Sequence, residues 1–495
     1  MDVLTIAASW LRAPDYWLSR WLFERALAAI YAIAYLVALD QFPALLGERG
    51  LLPAPRFLAL TTFKETPSLF HLRYSDRLLR VVGWAGVAIS VALLLGLPQR
   101  GPDWVPMLAW LALWVGYLSI VNVGQTFYAF GWESLLLEVG FLAVFLGSAA
   151  VAPPTLILLA IRWLLFRVEF GAGLIKLRGD RCWRELTCLF YHHETQPLPN
   201  PLSWYFHHLP GWVHRAEVAG NHVLQLVVPF GLLLPQPVAG AAGLLTVVHQ
   251  GWLILSGNFS WLNAITITLA IAAFDDRQLG TVLPVQPPVV DDPPAWHTGL
   301  VLLVGAVVAV LSYWPVRNML SPRQAMNASF NPFHLVNTYG AFGSITRVRL
   351  EVVLEGTEDA EPTVATVWRE YEFKAKPGDP RRRPPQVAPY HLRLDWLMWF
   401  VPFSLPSVPR WLFALVERLL ANDPAILRLL RRNPFPDEPP SYVRASLYRY
   451  RFTTPRERRA TGAWWHRERV GTVLPPMKLA PGELGGWLDP IRFTY

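Results

Sequence analysis

Apolar runs of a length suited to a bilayer recur along the first two thirds of the chain. They fall at Trp17–Leu39, Val81–Leu97, Trp104–Ile120, Leu135–Ala150, Pro154–Val168, Val218–Leu234, Val238–Leu255, Leu262–Phe274 and His297–Tyr313. These runs predict about nine spanning helices. The shorter ones, such as Leu262–Phe274, fall below the roughly 17 residues a full crossing needs and suit a re-entrant segment as well. Leu18 to Leu39 is too long for a signal core, contains Glu24 and Arg25, and is followed by no small-residue cleavage site. It is therefore expected to remain as the first span, after a short flank from Met1 to Tyr16. Asp40 to Arg80 reads as a loop rich in proline and charge. Trp104, Trp110, Trp114, Trp252 and Trp261 cluster at run ends, which suits aromatic belts at headgroup depth, although buried packing fits some of them equally well.

Beyond Trp314 the period changes from helical to alternating. Arg347–Leu354, Trp368–Lys374 and Val443–Phe452 alternate polar and apolar residues with β-branched and aromatic side chains, the signature of half-buried strands. Between them lie the Pro/Arg-rich loop Lys376–Pro389 and a helical stretch, Val408 to Arg432. Asp395–Pro402 is a short aromatic patch expected to dip into the membrane interface. The predicted fold is a multi-pass α-helical membrane bundle in residues 1–316, containing a central polar stretch at 169–210. A small β-rich (α+β) extramembrane domain follows in residues 317–495.

Composition supports this division. Hydrophobic residues make up 53% of the 495-residue chain and charged residues 16%, against about a quarter charged in a soluble domain. Residues 1–320 hold 19 Lys+Arg and 19 Asp+Glu, whereas the remainder holds 25 and 17 and so supplies the whole net charge of +8. With nine spans, the Asp40–Arg80 loop, the central stretch and the C-terminal domain share one side. That side is basic, which the positive-inside rule would make cytoplasmic.

The central stretch, Glu169 to Pro210, interrupts the apolar pattern with charge, aromatics, prolines and the only two cysteines, Cys182 and Cys188. Polar groups in such a place mark function in membrane proteins. Two cysteines cannot build a disulfide scaffold. In a helix, the six-residue spacing would separate their Cα atoms by about 9 Å, beyond the roughly 7 Å a disulfide allows. They pair only if the segment turns, and packed thiols are the expected state. His192 and His193 project about 100° apart on a helix and lack the HExxH spacing, so a metal would need ligands from His207, His208 or His222. Hydrogen-bonded histidines are the preferred reading, with no metal or cofactor expected. Glu194–Pro201 carries prolines at every second position, which fixes an extended backbone. Ser203–Leu209 then resumes as an amphipathic piece. Such a strip suits recognition of another chain or a rigid lid on the bundle. Within the spans, Glu133 or Glu138 is expected to pair with Arg167. Arg381–Arg383 reads as a solvated or headgroup-facing loop rather than a nucleic-acid site, since no nucleic-acid module accompanies it. No P-loop, GxSxG or paired CxxC is present.

Five blocks in order then resemble the lipase maturation factor family. The central block holds Gly171-Ala-Gly-Leu-Ile-Lys-Leu-Arg-Gly-Asp180, Cys182-Trp-Arg-Glu-Leu-Thr-Cys188 and His193-Glu-Thr-Gln-Pro-Leu-Pro-Asn-Pro-Leu-Ser-Trp-Tyr205. The others are Asn331–Gly343, Tyr371–Asp379, Pro389–Trp396 and Tyr442–Tyr450. The resemblance implies a non-enzymatic, multi-pass membrane factor that helps secreted dimeric lipases fold and assemble. It places the C-terminal region in the lumen of the endoplasmic reticulum, opposite to the positive-inside reading. In a bacterium, which the Arg, Ala, Leu and Pro content would suit, the site is the cytoplasmic membrane facing outward. The expected partners are the lipid bilayer and a lipase-like client, with no nucleic acid. The matching positions form the expected client-binding or functional set: Lys176, Arg178, Asp180, Cys182, Trp183, Arg184, Cys188, His193, Glu194, Thr195, Gln196, Pro197, Pro199, Asn200, Pro201, Trp204, Tyr205, Asn337, Tyr339, Gly340, Arg393, Asp395, Trp396 and Arg444. A bundle followed by a β-rich domain is also similar to the vitamin K-dependent gamma-carboxylases. On that alternative Lys176, beside His192 and His193, would be a buried base acting on a lipid-soluble cofactor or peptide.

Overall fold

The computed structural model describes residues 11–405 and 407–479; of the flank Met1 to Tyr16, residues 1–10 lie outside that range. Each apolar run forms a helix: α1 (Trp17–Leu46), α2 (Asp76–Leu94), α3 (Trp104–Asn122), α4 (Gly131–Ala143), α5 (Thr155–Arg178), α6 (Gly211–Leu226), α7 (Val238–Ser256), α8 (Leu262–Ile271) and α9 (Ala295–Leu311). Five helical segments are long and apolar enough to cross a membrane: Pro14–Leu46, Asp76–Leu94, Trp104–Asn122, Val238–Ser256 and Ala295–Leu320. Length and composition alone therefore support five crossings among the described residues and do not confirm the expected count of about nine. Helices α4, α6 and α8 have 13, 16 and 10 residues, and α5 carries Arg162, Arg167, Glu169 and Lys176. Helix α6 starts earlier than its apolar run, directly after Pro210, and ends earlier, because Pro229 cannot supply the backbone N–H that would continue it. Trp110 and Trp261 are buried, so packing explains them, whereas Trp104 and Trp252 remain exposed as a belt requires.

Helix α1 is the hub. Gly86 of α2 lets the Tyr35 ring of α1 approach so closely that a Cβ there would lie 2.5 Å from it, the small-residue packing by which membrane helices associate. Tyr35 and Tyr31 meet Tyr117 of α3 edge-to-face at 5.6 and 5.9 Å. Two buried α1 charges find partners inside the bundle: Arg20 donates to the Val151 carbonyl at 2.8 Å, and Trp110 donates to Glu24 at 3.1 Å.

The C-terminal part is a four-stranded antiparallel sheet in the order β2-β1-β5-β6, with a two-stranded β3-β4 sheet beside it. The strands are β1 (Arg349–Thr357), β2 (Arg369–Glu370), β3 (Glu372–Phe373), β4 (Leu430–Arg432), β5 (Tyr442–Phe452) and β6 (Trp465–Met477). The run expected as one strand at Trp368–Lys374 is split at Tyr371, whose N–H donates to Leu354, so its halves join different sheets. Strand β6 carried no usable alternation. It is an edge strand, mostly exposed, with Pro475 and Pro476 near its end, where no ladder donor is needed. The helical stretch after Val408 becomes α11 (Arg410–Leu420), which buries Trp411, Leu412, Leu415 and Leu419. Just before it, α10 (Arg393–Met398) is buried at every residue. This corrects the expected interfacial dip of Asp395–Pro402: α10 packs against the bundle, and exposed apolar side chains begin only beyond it, at Phe400, Phe403 and Leu405. One continuous apolar core includes Leu136 and Ile161 from the bundle together with Leu394, Leu415 and Val443 from the C-terminal part.

Candidate functional site

Helix α5 delivers the central stretch. On its last turns Lys176 donates to Asn221 at 3.1 Å and Gln225 at 2.7 Å. Gln225 and Gln250 in turn donate to Glu169 at 3.0 and 2.6 Å. Amide side chains thus relay between a buried cation and a buried carboxylate. Arg178 donates to Gln324 at 2.9 Å. The helix stops at Gly179, and Asp180 caps the next turn by accepting from the Cys182 N–H at 3.0 Å. Asp180 also pairs with Arg347 at 2.8 Å, and that guanidinium holds its carboxyl down at about 2.

Residues Arg181–Arg184 make a single helical turn, and Leu186 takes a positive φ of 59°. The chain therefore doubles back, the Cys182 and Cys188 Cα atoms lie 4.8 Å apart, and the two form a disulfide. The expectation of packed thiols is overturned because the segment is a turn rather than a helix. Inside the loop Trp183 donates to the Phe342 carbonyl at 2.8 Å, while Arg184 points to solvent.

The proline strip is buried. Arg349 of β1 reaches the carbonyls of Glu194 (2.9 Å), Gln196 (2.5 Å) and Pro197 (3.0 Å). Its charge is balanced by Glu351, which also meets Lys376 at 2.7 Å. Asn258 donates to Pro199, Arg383 donates to Pro201, and Asn200 accepts from the Leu202 and Ser203 N–H groups. Thr195 accepts from Trp399. Glu194 accepts from the Phe452 N–H at 2.7 Å, and burial raises its pKa. Trp204 donates to Thr453 at 2.8 Å and lies under the Arg458 guanidinium. Pro197, Pro199, Asn200 and Trp204 are therefore not the exposed recognition strip that their composition suggested. They bind the C-terminal sheet to the bundle as a lid would. Of this strip and the disulfide loop, Tyr205 and Arg184 remain exposed among the expected set.

The downstream blocks meet the bundle in the same way. Arg167 pairs with Glu138 and donates to the Asn337 carbonyl at 2.6 Å. Asn337 and Tyr339 both donate to Glu138. Glu133 is taken instead by Arg393 at 2.7 Å, which decides between the two carboxylates considered for Arg167. Gly340 donates to Asn327. Asp395 accepts the Ala375 and Lys376 N–H groups, Trp396 packs edge-on against Trp132, and Arg444 pairs with Glu355. The blocks also frame a cavity of about 1,100 Å³, walled by Lys176, His193, Glu217, Phe259 and Trp399 among others. No motif announced Arg349 or Asn258, whose contacts with the strip cross about 150 and 60 residues of chain, or the His214–Glu217 pair, which lies one helical turn apart on α6 and meets His193 only in the fold.

A helical membrane protein with a sheet domain locked onto one end of its bundle is the class these features define. Residues 18–281 match the lipase maturation factor transmembrane domain and residues 335–475 the lipase maturation factor C-terminal domain. The chain belongs to the lipase maturation factor family. It is 44% identical to Lipase maturation factor 1 of Bos taurus over 98% of this chain and 93% of that protein. It is 43% identical to Lipase maturation factor 1 of Homo sapiens, covering 95% and 89%, and 30% identical to Lipase maturation factor 2 of Gallus gallus, covering 95% and 82%. No solved structure matches the chain significantly.

Proposed function

We propose that this protein is a membrane-resident, non-enzymatic factor assisting the maturation of a secreted lipase-like client. The observation that carries this reading is the 43–44% identity, over nearly the whole chain, to proteins named lipase maturation factor 1. The geometry supports it: the family blocks build a rigid seat at one end of the bundle, with exposed aromatic and basic groups at its edge. On this reading the buried members of the set shape the seat. The client meets Arg184, Tyr205 and the exposed pair Phe400 and Phe403. The C-terminal domain faces the compartment in which the client folds: the endoplasmic reticulum lumen in a eukaryote, the outward side of the cytoplasmic membrane in a bacterium. About nine crossings, with the shorter helices completing the count, put the seat and that domain on this side.

The test is expression in cells lacking their own factor, reading secreted lipase activity per unit of lipase protein. The ratio should rise with the chain present and fall in graded steps for Arg184→Ala and Tyr205→Ala, since contact energy is spread over several anchors. An unchanged ratio at normal membrane levels sinks the reading. Near-complete loss from Lys176→Ala alone, with the protein still folded, would favour the carboxylase-like enzyme, because a positioned general base is typically worth about 10²–10⁴-fold.

A further inference from the structure

His193 lies on the short helix Leu189–Thr195, is 3% exposed, and neither of its ring nitrogens has a hydrogen-bond partner. Burying an imidazole without partners is costly. Across from it, α6 presents His214 and Glu217 on one face, at the i, i+3 spacing. The rings of His193 and His214 lie 5.6 Å apart, and one ligand atom from each of the three residues falls within 4.8 Å of the others.

The surroundings of these groups are those of a ligand set. Nδ1 of His214 lies 3.2 Å from Oε2 of Glu217, while its Nε2 faces the His207 carbonyl at 3.4 Å. Metal-binding histidines commonly anchor their second nitrogen on such a carbonyl. Oε1 of Glu217 accepts from the Trp252 indole at 2.9 Å, which fixes the carboxylate and leaves Oε2 turned toward the histidines. Glu194, the acid adjacent to His193 in sequence, is occupied by the Phe452 N–H and stands outside the group. His193 and Glu217 both line the cavity.

We propose that His193, His214 and Glu217 bind a divalent transition-metal ion, zinc by ligand type, in the wall of the central cavity. Two imidazoles and one carboxylate are a zinc donor set that leaves a fourth position open, and His193 and Glu217 put the set at the cavity wall. Side-chain rotation brings the three atoms to the edge of about 3.3 Å that tetrahedral bonds of about 2.0–2.1 Å require. The ion would tie the helix carrying His193, and so the strip that follows it, to α6. The site is independent of whether the client is a lipase.

The test uses the full-length protein in detergent, purified through a tag without histidine, stripped with a chelator and titrated with Zn²⁺ or Co²⁺ alone. One equivalent of Zn²⁺ should bind per chain, and Co²⁺ should give the visible absorption of a tetrahedral site. Affinity should fall on the order of 100-fold or more in His193→Ala and Glu217→Gln, and about 10- to 100-fold in Trp252→Phe, which removes only the outer hydrogen bond. His466→Ala, on the exposed edge strand, should bind as the parent does. Glu217→Gln preserves shape if His193→Ala fails to fold. Substoichiometric binding by the unaltered protein overturns the proposal, as does binding left unchanged in folded Glu217→Gln.

Discussion

Glu138 collects Arg167 from α5, the backbone and side-chain N–H groups of Asn337, and the Tyr339 hydroxyl. Removing one partner of a buried ion pair strands the other, which typically costs about 3–5 kcal/mol. Arg167→Met should therefore lower the unfolding midpoint in detergent sharply, and adding Glu138→Gln should recover part of the loss; a double variant no better than the single would contradict this account. Asp180 behaves differently because its pair is partly open to solvent, with the Arg347 side chain 41% exposed and its own 19%. Its carboxyl is depressed to about 2 by Arg347, so the contact contributes fully above the ordinary carboxylate value near 4 and is lost as pH falls toward 2. An exposed pair contributes only about 0–1 kcal/mol, so acidification should loosen the Cys182–Cys188 loop locally without unfolding the bundle. Emission from Trp183, isolated by comparison with Trp183→Phe, should shift between pH 4 and 2, and Asp180→Asn should show the loosened signal at neutral pH.

Strand β1 grips the strip through Arg349, which spans three of its carbonyls. Lysine keeps the charge but cannot fork across them. Arg349→Lys should leave buried acceptors unpaired, at about 1–3 kcal/mol for each, and limited proteolysis should cut the strip at 194–201 faster than in the parent. Equal cutting rates would show that Arg349 does not hold the strip. What could be read in advance follows the same logic. Strand β5 was legible to within one residue and the cores of α1 and α2 were legible too, because period reports which face is buried, but both helices extend into the expected loop Asp40–Arg80, α1 to Leu46 and α2 from Asp76. The role of the proline strip was not. Its rigidity is local, but its burial depends on Arg349 and Asn258, which lie about 150 and 60 residues away. The disulfide was missed because the turn at Leu186 takes a positive φ that no glycine announces. Strand β6 was missed because an edge strand needs no apolar alternation.

The division at residue 316 that the change of period suggests is not a division of the core. A chain ending after Trp314 would lose Arg393, the partner of buried Glu133, and also Asn337 and Tyr339, which serve Glu138. Gln41 would lose the His391 carbonyl and the Arg393 N–H. Glu138 keeps Arg167, but Glu133, buried in the intact chain, retains only the Tyr117 hydroxyl among its described side-chain hydrogen bonds. An unpaired buried carboxylate either stays charged at a cost of several kcal/mol or takes up a proton. The truncated bundle should therefore accumulate at a lower level in membranes and melt earlier than the full chain, rather than insert normally and lack only client activity. Glu133→Gln should harm the full chain by stranding Arg393, yet partly restore the truncated one, where no arginine remains to be stranded. That reversal of sign distinguishes loss of this ion pair from general loss of packing. Quantifying both lengths, with and without the substitution, by membrane abundance and detergent melting decides it. If Glu133→Gln shifts both lengths in the same direction, the two parts are not coupled through Glu133 and Arg393.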